Sequence, residues 1–238
     1  MKNKLSIFKL APGFIGTLRK TEPVEKQLKL IVKHQFNKEL FDGTLNPIVF
    51  GDYLHDDYIY LHHYALALQK IEKSLKKTYP SLAELLYHLA TDILDNEKNM
   101  QKEYDKYFTY SEASKPQAAI TNYIHFINTH INSPLPVALC SILPCFMIYY
   151  QLGILGNQQK VENNPYQNWI NTYSSPEFSQ ATHALIDVIN ELAQKTNAEV
   201  LEQMRNAFVQ AVTLELQFFD EVVPELIPAS VMELKKIA

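Results

Sequence analysis

From Asn132 to Gly156 the chain carries no charged side chain. A helix of that length either crosses a hydrocarbon core or is enclosed by other protein. The polar residues inside it favour enclosure. Pro134, Pro136 and Pro144, with Ser141, Tyr149, Tyr150 and Gln151, suit a helix whose polar groups find protein partners better than one bathed in lipid. No membrane partner is therefore expected. An enclosed helix needs amphipathic helices around it, and the rest of the chain supplies them.

Apolar residues recur at helical spacing almost throughout. After Thr21-Glu22-Pro23, a helix carrying Val24, Leu28, Ile31, Val32 and Phe36 is expected to close at Gly43. A second starts at Asn46-Pro47, where proline suits the first turn, and runs to about Lys76 with Tyr53, Leu54, Asp57, Tyr60, Leu61, Tyr64 and Leu68 on one stripe. A third opens at Pro80-Ser81. Its later part turns polar through Glu97, Lys98, Gln101, Lys102 and Glu103 and is expected at the surface. Ser114-Lys115-Pro116 starts a fourth and Ser133-Pro134 the uncharged fifth. A short sixth lies around Pro165 to Tyr173, a seventh follows Ser175-Pro176, and an eighth spans about Asn197 to Asp220 before Pro224 and Pro228 break a tail.

Six glycines in 238 residues argue against sheet-rich and nucleotide-binding folds, which need many positions that tolerate positive φ. No linker or repeat interrupts the helices. The expected fold class is all-α, a multi-helix bundle with an interior pocket between facing helices. It forms a single domain over 23–222, with an N-terminal extension at 1–22 and a tail at 223–238. A formal charge of −4 and dispersed lysines leave no basic field for nucleic acid. Leu5 to Leu18 is too short an apolar run for a signal peptide. Cys140 and Cys145 are the only cysteines, and five positions along one helix turn them about 140° apart. Two thiols without a disulfide framework fit a reducing compartment, so a cytoplasmic location is expected.

Three buried stripes are broken by a reactive or hydrogen-bonding group with an aromatic three or four residues on, a spacing that puts the two side chains together. Asp57 precedes Tyr60, Cys145 precedes Tyr149, and Glu215 precedes Phe218. Most buried cysteines are small apolar core residues, and on the residues alone that is the commoner reading of Cys145. Glu215 is harder to dismiss, because Val209 to Phe219 is apolar almost all round and buried glutamates are rare unless paired or functional. A salt bridge to a lysine or arginine is its ordinary alternative. Of the adjacent pair Asp56 and Asp57, the second shares the stripe of Leu54, Tyr60, Leu61 and Tyr64 and is the better interior candidate.

His55, His62 and His63 invite a metal reading, as do His183 and Asp187. However, no Glu-x-x-His signature of the carboxylate-bridged di-iron bundles occurs, and the scattered histidines lack ligand spacing. No metal and no cofactor are expected.

Leu143 to Gly153, which contains Cys145, resembles the cysteine segment of TenA/thiaminase II proteins. Asn164 to Ser175, Phe208 to Phe218 and Phe50 to Ala65 resemble three further segments of that family in the same order, and four ordered segments make chance a poor explanation. The resemblance spans about residues 30 to 222. It implies a haem-oxygenase-like helical fold without haem, a homotetramer, and hydrolysis of an aminopyrimidine substrate (thiamine or a degraded derivative) to hydroxymethylpyrimidine for thiamine salvage. By motif position it implies Cys145 as nucleophile, Glu215 as acid/base and Asp57 as holder of the pyrimidine, with Tyr60, Tyr149, Tyr173 and Phe218 lining the pocket. One departure stands out. Ile120 falls where many members carry a tyrosine, which implies a lost pocket hydroxyl. Two alternatives share the fold expectation: a metal-dependent oxidase or oxygenase, and a pyrimidine-binding regulatory protein without turnover.

Overall fold

The computed structural model describes residues 13–104 and 116–222, with backbone alone for 96–104. Its elements are α1 (Phe14–Leu18), α2 (Glu22–Lys33), α3 (Gln35–Asp42), α4 (Pro47–Leu75), α5 (Pro80–Tyr104), α6 (Ala118–His130), α7 (Leu135–Gln159), α8 (Gln167–Tyr173), α9 (Pro176–Gln194) and α10 (Ala198–Val222). Among the described residues there is no strand. The all-α expectation therefore holds. The side chains of the expected surface stretch Glu97 to Glu103, the start signal at Ser114-Lys115, and the tail broken by Pro224 and Pro228 lie outside what the structure describes.

The uncharged segment forms α7, which packs against α3, α4, α6, α8, α9 and α10. It is long and apolar enough to cross a membrane, yet 89% of its apolar window is buried inside the protein. Its surroundings are thus helices, as the prolines and hydroxyls suggested. The helix reads through Pro144 without interruption, although that residue has no N–H to give the carbonyl of Cys140. Gly153 lets α8 come close: a Cβ there would lie 2.7 Å from the Ser174 nitrogen and the Tyr173 carbonyl carbon.

Three helix starts carry the side-chain caps their sequences announce. Asn46 Oδ1 accepts from the Ile48 N–H, Ser175 Oγ from Phe178 and Asn197 Oδ1 from Val200, each satisfying a donor that the first turn leaves unpaired. Gly43 ends α3 in the left-handed conformation, φ 73°, which glycine adopts without a Cβ clash.

One expected helix is instead two. The periodicity from Val24 to Gly43 is broken at His34, whose ψ of 141° is extended. Side chains stabilise the break. His34 Nδ1 accepts from the Phe36 N–H, and Asn37 Nδ2 donates to the Ile31 carbonyl at 2.8 Å, so both new helix ends are partly capped. At the N-terminus, α1 packs on α9. The Ile15 N–H donates to Asn190 Oδ1 and Arg19 Nη2 to Gln151 Oε1, both at 3.0 Å, and Ile15 and Leu18 join the core.

Candidate active site

Asp57 on α4, Cys145 and Tyr149 on α7, and Tyr173 at the end of α8 line one cavity of about 590 Å³. Cys145 is buried among aromatic side chains, with Tyr64, Phe146 and Tyr149 on the same wall. Tyr149 packs against Tyr173 at 4.8 Å between ring centroids, and Trp169 against Tyr173 at 4.7 Å. A flat ring entering this space meets aromatic faces and edges.

Glu215, Tyr60 and Phe218 are not on the cavity wall. They stand behind it. Glu215, 1% exposed, accepts a hydrogen bond from the Tyr123 hydroxyl at 2.8 Å, and no lysine or arginine pairs with it among the described residues. The salt-bridge reading of Glu215 is therefore set aside. Phe218 stacks on Tyr53 at 5.0 Å and 23°, holding that ring rather than facing the cavity. Tyr60 packs on Tyr123 at 4.6 Å, and its buried hydroxyl has the Cys145 thiol and the Tyr123 hydroxyl as neighbours.

The electrostatics follow from burial without cations. Burial pushes the Cys145 thiol well above its usual range, and the Glu215 and Asp57 carboxylates add to this, while the Tyr60 and Tyr64 hydroxyls oppose it. Burial raises Glu215 to about 8, partly countered by the Tyr123 hydroxyl and reinforced by Asp57. Burial likewise raises Asp57 to about 7, with Asp56 adding and Tyr53 opposing. Each group disfavours charge on the others, so near neutral pH the cluster holds protons that it can give and take back. Cys140, the other thiol, is pushed up by burial alone to beyond the usual range and does not line this cavity.

Three tyrosines matter here that spacing did not single out. Tyr53 lies one turn before Asp57, is fully buried, and donates to the Tyr149 hydroxyl at 3.1 Å. Tyr64, one turn after Tyr60, lines the cavity beside Cys145 and donates to the Ile142 carbonyl at 2.8 Å, tying α4 to α7. Both follow the four-residue spacing used for Asp57 and Tyr60, and extending it by one turn each way finds them. Tyr123 supplies a hydroxyl to Glu215, so Ile120 does not leave the acid without one. Ile120 is fully buried and is not a wall residue. Among the described residues no three His, Cys, Asp or Glu side chains are placed to hold a metal ion, and the histidines singled out in the sequence form no such group.

A sequence profile described as the TENA/THI-4/PQQC family matches residues 21–224. The chain belongs to the TENA/THI-4/PQQC family. Relatives in the same group include an aminopyrimidine aminohydrolase of Bacillus subtilis, 28% identical over 195 residues that cover 78% of this chain and 80% of the relative. An uncharacterized protein of Haemophilus influenzae is 28% identical over 79% of this chain and 89% of its own length. Among solved structures, a TenA homologue from Pyrococcus furiosus superposes with a TM-score of 0.78 at 19% identity, over 88% of this chain and all of that one. Haem oxygenase-1 of the cyanobacterium Synechocystis superposes with a TM-score of 0.61 at 12% identity, over 95% of this chain and 100% of its own. This TENA/THI-4/PQQC member therefore has the haem-oxygenase-like fold.

Proposed function

We propose that the protein hydrolyses an aminopyrimidine, with Cys145 as nucleophile, Glu215 as proton carrier and Asp57 as the group that holds the ring. The observation that carries this reading is a thiol and a buried carboxylate, Cys145 and Asp57, on the wall of one aromatic-lined cavity, with a second buried carboxylate, Glu215, behind that wall. Membership of the family, with aminopyrimidine aminohydrolases among the relatives, supports the choice of substrate.

The chemistry follows from what each group can hold. An aminopyrimidine ring is electron-poor, so sulfur can add to a ring carbon while ring electrons move toward the methylene and expel its substituent. A buried thiol is a poor nucleophile, and Cys145 needs its proton removed as the carbon–sulfur bond forms. Glu215, titrating near 8, takes that proton and passes it to the departing group. The hydroxyls of Tyr60 and Tyr64 oppose the cost of charge on sulfur. Asp57 accepts hydrogen bonds from the ring's amino group or protonated nitrogen as negative charge enters the ring. Water then adds to the methylene, the ring electrons return and the carbon–sulfur bond breaks, and the proton given up by water passes through Glu215 to the released sulfur, restoring the Cys145 thiol. The products are hydroxymethylpyrimidine and, from an aminomethyl derivative, the protonated amine; from thiamine the thiazolium nitrogen takes the bonding pair and leaves as neutral thiazole, and the proton goes to solvent.

In the cell we place this activity in thiamine salvage, in the cytoplasm, where two free buried thiols persist. The homotetramer rests on the family resemblance, and sedimentation equilibrium tests it. The decisive experiment incubates the protein with thiamine and with aminomethylpyrimidine and follows hydroxymethylpyrimidine by chromatography. Product is expected from the wild type and none from Cys145→Ala, with the helical circular dichroism of the two superimposable. Full activity in Cys145→Ala refutes the mechanism.

A further inference from the structure

The cavity is larger than the reacting ring. Even allowing the ~30 Å³ per heavy atom of liquid water, a pyrimidine of about ten heavy atoms fills no more than roughly 300 Å³, about half of the 590 Å³ present. The rest of the wall differs in character from the floor. Asp57, Cys145 and Tyr149 are buried, whereas Asp92 on α5 and Glu177 on α9 are exposed wall residues of the same cavity, with Asn168 and Thr172 of α8 nearby on it. Asp92 and Glu177 face the space from two different helices.

Charge on this wall has one sign. Among the described residues lining the cavity there is no lysine, arginine or histidine. Elsewhere Glu25, Glu191 and Glu202 on the surface and the buried Glu72 pair with a basic side chain one turn away; Asp92 and Glu177 make no ion pair among the described residues.

We propose that the outer half of this cavity is a leaving-group subsite in which Asp92 and Glu177 favour a positively charged group and turn away one that ends in phosphate. This rests on the function proposed above and adds to it which substrates the site selects. A phosphate monoester carries about −1.5 to −2 charges at neutral pH, and two carboxylates on the same wall oppose it. Near a water-filled mouth such contacts are each worth a few-fold, so their sum is on the order of tenfold at low ionic strength and less in high salt. Asn168 and Thr172 leave room for neutral polar substituents, which the wall admits without the charge preference.

Calorimetric binding to Cys145→Ala protein reads the preference without turnover, with thiamine and thiamine monophosphate as the probes. Thiamine is expected to bind at least about tenfold more tightly at low salt. The gap should shrink severalfold in the Asp92→Asn/Glu177→Gln double variant and in high salt. Both substitutions preserve shape at exposed positions, and circular dichroism verifies the fold. Equal binding of the two probes, or a gap that survives the double substitution, overturns the inference and leaves the proposed function standing. Binding of neither probe, together with no product from any aminopyrimidine, refutes the proposed function and the inference with it.

Discussion

Replacing Glu215 with glutamine should weaken catalysis and stabilise the fold in a pH-dependent way. In the folded protein Glu215 titrates at about 8, against 4.5 for the free side chain, so folding favours its protonated form. Between those values the native state binds more protons than the unfolded state, and stability falls as pH rises. Below about 4.5 both states hold the proton and the penalty vanishes. Integrating from pH 4.5 to pH 8 gives a loss of about 4 kcal/mol from this one group. Glutamine has no such titration, though it has its own fixed cost in accepting from Tyr123 while its amide group seeks acceptors. The informative quantity is therefore the change in the difference between the two proteins. At roughly 2–4 °C per kcal/mol for a domain of this size, the melting temperature of Glu215→Gln relative to wild type should rise by about 8–16 °C between pH 4.5 and pH 8. The assay is thermal melting by circular dichroism on both proteins across that range, with turnover measured alongside. Turnover is expected to fall by about 10²- to 10⁴-fold, the usual scale for a general acid/base group. Melting temperatures that run parallel with pH would show that the carboxylate is not held neutral by burial, and the assigned role would fail with it.

Tyr123→Phe removes a hydrogen bond to the charged form of Glu215, worth about 1.5–3 kcal/mol, so the ascending limb of kcat/KM against pH should move up by about 1–2 units. An unmoved limb would detach Tyr123 from the acid it contacts. Gly153→Ala places a methyl group 2.7 Å from the backbone of Tyr173 and Ser174. Separating α7 from α8 should cost about 1–3 kcal/mol, with a rise in KM as Tyr173 shifts, and an unchanged melting temperature and KM would contradict the close approach.

Much of the candidate site could be read along the chain because a helix converts spacing into direction. Asp57, Cys145 and Tyr149 each break or flank an apolar stripe, and the structure turns all three into one cavity. Tyr173 became visible only through the family resemblance, since α8 is too short for a periodic pattern. The same resemblance put Phe218 in the pocket lining, whereas in the structure it packs on Tyr53 behind the wall. Tyr123 lies on an apolar stripe that looks like any core stripe, and nothing local says that its hydroxyl meets Glu215 across 92 positions of sequence. The division at His34 was also hidden, because the apolar pattern continues through it and the capping that permits it comes from Asn37.

The sequence by itself determined helix as the class of element, the segment at the centre, and the inward turn of Asp57, Cys145 and Glu215, though Asp56, the other acid of the adjacent pair, is buried as well. Those properties depend on neighbours within a turn or two, where 3.6-residue geometry fixes what faces what. Only the tertiary structure decided which inward groups touch, how far the cavity extends beyond a single ring, and which acid stands on its wall and which behind it. Such outcomes depend on how helices distant in sequence pack and register against one another, and no spacing within one helix encodes that distance.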